Sequence, residues 1–313
     1  MSGSRADIHD NPGWAAARPA LSVLIPFLGD DPEPLLRRLD TEGPALAGRV
    51  ELILLDDGTG DAALTARLKT TLDTLALPAR LVTLSANEGR ARGRNRLTIA
   101  ARAGSWLFLD SDMKPDSPRF LQTWVDLIAR DDPAVAFGGF SLKQTPRDRR
   151  FAVHRALSGA SECVRAAQRA KTPEKYVYTS NLLVRRDVFE TIGFDEGFSG
   201  WGWEDVEWAM RVARQHPILH IDNTATHLGL DPAPVMAAKY EQSAANFARV
   251  VANHREVVSA YPSYKVAKLL KSVPLRGVWR PVLKRIALSE AAPVSLRAFA
   301  MRLYRAALYS EAV

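Results

Sequence analysis

Between Ala20 and Asp110 the chain alternates short, continuous apolar runs with stretches in which apolar residues recur every three or four positions. The runs ALSVLIPFL (20–28), RVELILL (49–55), ARLVTL (79–84) and SWLFLD (105–110) carry almost no polar alternation. That pattern predicts strands buried on both faces. PLLRRLD, AALTARLKTTLDTLAL and NEGRARGRNRLTIAARAG lie between them with helical spacing, the last entered through a turn rich in glycine and arginine. Strands alternating with helices predict right-handed crossovers and a largely parallel sheet covered on both faces. Ligands bind such sheets beyond the carboxyl ends of the strands. Three of those ends are polar here: Asp56-Asp57-Gly58, Asn87-Glu88-Gly89 and Asp110-Ser111-Asp112. They are expected to converge on one cleft.

After Pro133 the pattern changes. AVAFGGFSL predicts one strand, and the polar, basic stretch that follows (143–175) predicts partial helix. TSNLLV predicts a strand, with a short helix, an aromatic-glycine loop and a helix opening near Glu204 behind it. PILHID predicts a last short strand, and a long helix is expected from about Ala233 to Ala260. No repeat or low-complexity tract interrupts this order.

Composition changes the picture in two places. The single cysteine, Cys163, excludes an intrachain disulfide and is at home in a reducing compartment. The first 20 residues hold no apolar core with a cleavage site, so no secretory leader is expected, and no run approaches the length of a membrane span. Net charge is +7, but residues 261–313 hold ten Lys/Arg against two Glu. That segment therefore carries +8 and the remainder −1. A separate task for it is expected.

The candidate chemistry starts at Asp110-Ser111-Asp112. Two carboxylates one residue apart at the end of a buried strand repel each other and call for a cation. Hard oxygen ligands suit divalent ions that keep positions open for phosphate and water. The same cleft would receive the other two polar strand ends, Asp56-Asp57-Gly58 and Asn87-Glu88-Gly89, the latter at a helix N-terminus whose backbone N–H groups can approach an anion.

In order, IPFL, LLDDGTG, NEGRARGRN, FLDSD, TSNLLVRRDVFETIGFDEGF, GWGWEDVEW and THLG resemble the family 2 glycosyltransferases of GT-A fold, over residues 20–230. The resemblance implies an α/β, Rossmann-like, mostly parallel sheet with flanking helices. It divides the chain into an N-terminal segment (1–19), a GT-A domain (20–230) and a basic, helical C-terminal extension (231–313). Asp110-Ser111-Asp112 matches the DxD motif, which holds Mn2+ or Mg2+ against the donor's diphosphate. Asp112 is expected to touch the metal, and Asp110 to hold the ribose or the metal through water. His227 of THLG matches a third ligand. His220, inside an apolar strand, is expected to be structural.

The resemblance also implies that Asp56, with Asp57 and Pro26 nearby, receives the uracil of a UDP-sugar. Asn87, Gly89 and Arg94 are expected at the donor, and Asn181 near its sugar. Asp205, the second acid of the E-D pair, matches the general base of an inverting transfer, with Glu204 on donor or acceptor hydroxyls. Trp201 and Trp203 are expected to stack on the acceptor sugar, unless one of them belongs to the core. Trp203 departs from the glycine often found before the Glu. Retaining relatives with a similar loop usually show Asn where Asp205 stands, so the Asp here implies inversion; a retaining transferase is one alternative and a non-catalytic nucleotide-binding module another.

The acceptor is expected to be a growing polysaccharide or a lipid-linked glycan. SLRAFAMRLYRAALY (295–309) sets Leu296, Phe299, Leu303 and Ala307 on one helical face with Arg297, Arg302 and Arg305 off it. This suits an anionic membrane surface, and a helix packed on the domain equally. The extension would hold a cytoplasmic enzyme at the inner face of the membrane. No nucleic-acid-reading motif accompanies the charge, and no nucleic-acid partner is expected.

Overall fold

The computed structural model describes residues 5–46 and 48–313. Its first half is the expected alternation: β1 (Ala6–Asp10), β2 (Leu21–Phe27), α1 (Glu33–Asp40), α2 (Gly43–Leu46), β3 (Val50–Asp56), α3 (Ala62–Asp73), β4 (Ala79–Leu84), α4 (Arg90–Ala100) and β5 (Ser105–Phe108). Then follow β6 (Met113–Pro115), α5 (Phe120–Asp131), β7 (Val135–Phe137), β8 (Phe140–Ser141), α6 (Ala152–Ser161), α7 (Ala166–Arg169), β9 (Leu182–Arg185), α8 (Arg186–Thr191), α9 (Glu204–Val212), β10 (Ile218–His220) and β11 (Ala225–His227). Four helices close the chain: α10 (Ala233–Val258), α11 (Pro262–Lys271), α12 (Arg276–Leu288) and α13 (Val294–Tyr309).

The main sheet runs β1-β4-β3-β2-β5-β9-β7-β10. β4, β3, β2 and β5 are mutually parallel, and β9 enters antiparallel between β5 and β7. Every residue of β3 is buried, as a strand covered by helices on both faces requires. The register pairs Phe27 with Asp56 and Asp56 with Thr83, so the three strands end together at one edge.

Two expectations are corrected. AVAFGGFSL is not one strand. Gly139 takes φ +91°, a conformation that favours glycine, and the chain turns there from β7 in the main sheet to β8 in a small sheet, β6-β11-β8. This small sheet sets His227 opposite Met113, one residue beyond Asp112. β1 was not expected, because ADIHD has no apolar pattern. It is an edge strand held by antiparallel pairing to β4, and its Ile8 faces solvent.

The C-terminal extension folds onto the rest of the chain. Met236, Ala237 and Tyr240 of α10, Ala287 of α12 and Ala300, Met301 and Tyr304 of α13 form one core with Val153 and Leu157 of α6. α13 is therefore a packed helix, and its Arg297 is buried, donating to the Ala287 carbonyl. Of the expected apolar stripe, Leu296 and Phe299 are exposed, Leu303 is half-buried and Ala307 is buried. Among the described residues no helix is long and apolar enough to cross a membrane.

Candidate active site

The polar strand ends meet as an interlocked set of turns. Asp56, buried at the end of β3, accepts from the Thr59 N–H at 2.8 Å, and the Thr59 hydroxyl accepts from the Gly29 N–H beyond β2. Pro26, half-buried, lies in β2 beside these ends. Asp57 accepts from the backbone N–H groups of Glu88 and Gly89 at 2.8 and 3.1 Å. It thus builds the turn that leads into α4. Burial, relieved in part by those two bonds, leaves its carboxyl above the ordinary range. Gly58 takes φ +83°, and a Cβ there would collide with the backbone of Ala86 and Asn87, so glycine is required at this crossing. Asn87 is exposed on the same turn.

α4 turns two arginines toward the acids of the cleft, Arg94 buried and Arg90 still exposed. Arg94 is buried and donates to Asp110 at 2.8 Å, with Glu204 at 3.7 Å. Arg90 pairs with the same Glu204 oxygen at 2.9 Å. Desolvation works against the Arg90 charge, but Glu204, Asp110 and Asp205 together raise its pKa. Sequence reasoning singled out Arg94 and passed over Arg90; four arginines in alternation gave no sign of which pair the helix turns toward the cleft. Glu204 is buried, and one of its oxygens serves both guanidinium groups, so it locks the arginines in place.

Asp205 opens α9. Its carboxylate accepts from the N–H and the hydroxyl of Thr179, both at 3.2 Å. Burial first, and the Glu204 charge second, push it up to about 7, against relief from Arg94 and Arg90. A carboxylate so poised exchanges protons near neutrality.

Asp112 and His227 form the opposite wall. His227 Nε2 lies 3.2 Å from Asp112 Oδ2, while Asp112 Oδ1 is buried without a partner. Burial would raise Asp112, but the His227 contact keeps it below the ordinary carboxylate range; the same contact raises His227. A Cβ at Gly229 would collide with the Asp112 carboxylate, which explains the glycine of THLG. A carboxylate oxygen with no protein donor beside an imidazole fits a divalent ion. Among the described residues no three His, Cys, Asp or Glu side chains form a complete cage, so phosphate and water would fill the other positions. His154, not anticipated, accepts from the Asp231 N–H at 2.7 Å, and its ring lies 5.8 Å from that of His227. Asp30 sits near enough for Asp112 and Asp110 to hold its carboxyl up, after burial.

Two anticipated residues also hold the framework of the site. Asn181 is fully buried, and its amide donates to the carbonyls of Gly139 and Asn223, tying β9 to the small sheet's entry. Trp203 takes φ +78°, an outlier for a bulky residue. Its ring packs 5.0 Å from Phe247, and its indole N–H donates to the Tyr309 hydroxyl at 2.9 Å. Trp201 packs on Tyr240 at 5.9 Å and remains half-buried. His220, as expected, is buried and bonded to Arg169 and the Pro173 carbonyl.

A family model described as glycosyl transferase family 2 matches residues 22–193, more than half the chain. The chain belongs to glycosyl transferase family 2. Among solved structures, this family 2 glycosyltransferase is similar to a mannosyltransferase from Pyrobaculum calidifontis in complex with GDP-Man and Mn2+. That likeness has 15% identity and a TM-score of 0.59, covering 98% of this chain and 90% of that one. It is also similar to residues 1–349 of S. aureus TarS, with 16% identity and a TM-score of 0.48 over 91% and 89% of the two chains. No curated protein matches it by sequence. The first of these likenesses shows a common fold, the GT-A type, and its 98% coverage extends over the C-terminal helices.

Proposed function

We propose that this chain is an inverting sugar transferase, moving a sugar from a nucleotide-diphosphate donor, a UDP-sugar, to a hydroxyl of a glycan or lipid-linked acceptor. The observation that carries the reading is Asp205, a carboxylate held by Thr179 and pushed up to about 7, in one network with Arg90, Arg94 and Asp110. Asp56 accepts from the nucleobase, with Pro26 alongside. Gly89 and Asn87 shape the turn beneath the phosphates, and Arg94 fixes Asp110. Asp112 and His227, with Asp110 behind them, would hold Mn2+ or Mg2+, which when bound neutralises charge developing on the leaving diphosphate.

Asp205 takes the proton of the acceptor hydroxyl as its oxygen bonds to the anomeric carbon. The bond from that carbon to the diphosphate oxygen breaks, and the nucleotide leaves with the electron pair. Attack opposite the leaving group inverts the anomeric centre. Arg90 and Arg94 keep positive charge beside Glu204 and Asp205, so the base can ionise near neutral pH. Trp201 offers its half-buried face to the acceptor.

The test is a thermal-shift panel of UDP- and GDP-sugars with and without Mn2+, followed by NMR of the product anomer. Stabilisation by a UDP-sugar that requires Mn2+, and an inverted product, are expected. Stabilisation by GDP-sugars alone overturns the uridine assignment, and a retained configuration overturns inversion. No stabilisation by any nucleotide sugar overturns the transferase reading.

A membrane surface for the same enzyme rests on α11, α12 and the turn between them. Leu269, Leu275, Val278 and Val282 are exposed, Leu275 by 74%, beside Lys265 and Lys268. An apolar face bordered by cations suits the anionic inner face of a membrane.

A further inference from the structure

One cation of the C-terminal extension reaches the catalytic cleft with no acid to meet it. Arg305 of α13 is half-buried, and its guanidinium lies over the Tyr240 ring, 5.1 Å from the centroid. Among the described residues no carboxylate makes an ion pair with it. By contrast, Arg280 of α12 meets Glu311 at 2.5 Å and Lys284 meets Glu241 at 2.6 Å.

Its surroundings join the base to the metal-ligand pair. Tyr178, Tyr240, Tyr309 and Glu162 surround the Arg305 guanidinium. Tyr178 directly precedes Thr179, which holds Asp205. The Tyr178 ring stacks on Phe140 at 4.9 Å, and Phe140 stacks on His227 at 6.0 Å. Trp201 of the loop before Asp205 packs on Tyr240 at 5.9 Å. Arg305 thus lies over a ring that Trp201 of the Asp205 loop also touches, and Tyr178 and Phe140 carry contacts on from Thr179 to His227.

Glu162 favours this charge from a distance, but among the described residues no carboxylate touches the guanidinium, so its donors are open to a ligand's oxygens. The guanidinium fork matches the geometry of carboxylates and phosphates. Glu162, which also makes no ion pair among the described residues, would repel an acid on its own side and confine it to the Arg305 face. We propose that Arg305, with Tyr240 beneath it, forms a subsite for an acidic group, phosphate or carboxylate, carried by the acceptor; the assignment rests on the transferase reading above.

Calorimetric titration of the full chain with octyl phosphate, octyl glucuronide and octyl glucoside tests it. At least one acidic probe is expected to bind about tenfold tighter than the neutral glucoside, the size of one charge-assisted hydrogen bond. Preference for octyl phosphate names a phosphate-bearing acceptor, and preference for octyl glucuronide an acidic sugar. Arg305→Gln is expected to erase the preference, and Arg305→Lys to keep part of it, since charge remains but the fork is lost. Equal affinity for all three probes overturns the proposal, as does a preference that survives in Arg305→Gln. The wild-type panel and Arg305→Lys decide the matter even if Arg305→Gln does not fold. Mn2+-dependent donor hydrolysis by the wild-type chain, measured without acceptor, reports the transferase reading separately.

Discussion

Replacing Asp205 with Asn is expected to abolish turnover and to stabilise the fold, and both effects have one cause. Burial, and then the Glu204 charge, hold this carboxyl near 7 against an ordinary value of 3.8. An acid whose folded pKa lies above its unfolded value binds its proton more tightly when folded. Its favourable contribution is therefore complete below pH 3.8 and is lost as pH rises through about 7. Each unit of displacement is worth about 1.4 kcal/mol, so a carboxylate displaced this far costs on the order of a few kcal/mol above neutrality. Water reaching the half-buried group and its coupling to Glu204 reduce that figure. The amide keeps an acceptor for the Thr179 N–H and cannot ionise. Melting scans of the ligand-free chain should show Asp205→Asn above wild type at pH 8 by about 1.5 °C for each kcal/mol. At pH 5 the gain should be less than about half as large. In parallel, kcat of the wild type should rise with pH through about 7, and Asp205→Asn should lose roughly 10²–10⁴-fold or more of it while binding donor normally. Equal stabilisation at both pH values, or none at pH 8, would refute the strained carboxylate; turnover within tenfold of wild type would refute its role as base.

Asp112→Ala should weaken UDP binding markedly in calorimetry with Mn2+, and unchanged affinity would sink the metal assignment. Gly229→Ala should do the same without removing a ligand, because its new Cβ would push the Asp112 carboxylate out of place; wild-type Mn2+ dependence in that variant would show that the carboxylate moves freely. Leu269→Glu combined with Leu275→Glu should abolish co-sedimentation with vesicles containing anionic lipid while leaving the melting temperature near wild type, since both side chains are exposed. Sedimentation equal to wild type would remove α11, α12 and the turn between them from the membrane reading.

The parallel half of the sheet was legible because its strands are buried on both faces, so apolar runs end sharply where Asp56 and Asp110 begin. β1 was not, because its strand character comes from pairing with β4 and not from its own ADIHD. The bend at Gly138–Gly139 was hidden inside an apolar run that reads the same whether it is one strand or two. Asp112 and His227 lie 115 positions apart, and periodicity cannot bring them together; the order of motifs could. Arg90 was lost among its neighbours, since which arginines of α4 turn toward the cleft depends on Glu204 and Asp110 across it. Arg305 was assigned to a surface because an arginine beside an apolar stripe looks solvated until α10 supplies Tyr240.

The left-handed Trp203 has a bearing on how such enzymes diverge. A bulky residue with φ +78° is held by what surrounds it, here Phe247 of α10 and the Tyr309 hydroxyl of α13, which also bonds Ser243 at 2.8 Å. The loop that leads into Asp205 and the last helix are therefore a matched pair. Exchanging C-terminal helices between relatives without exchanging position 203 would leave a strained tryptophan with no partner, or a partner with nothing to hold. Lineages that reshape the extension to meet a new acceptor are thus constrained to change the loop in step, and residues 203 and 309 should be inherited as a unit.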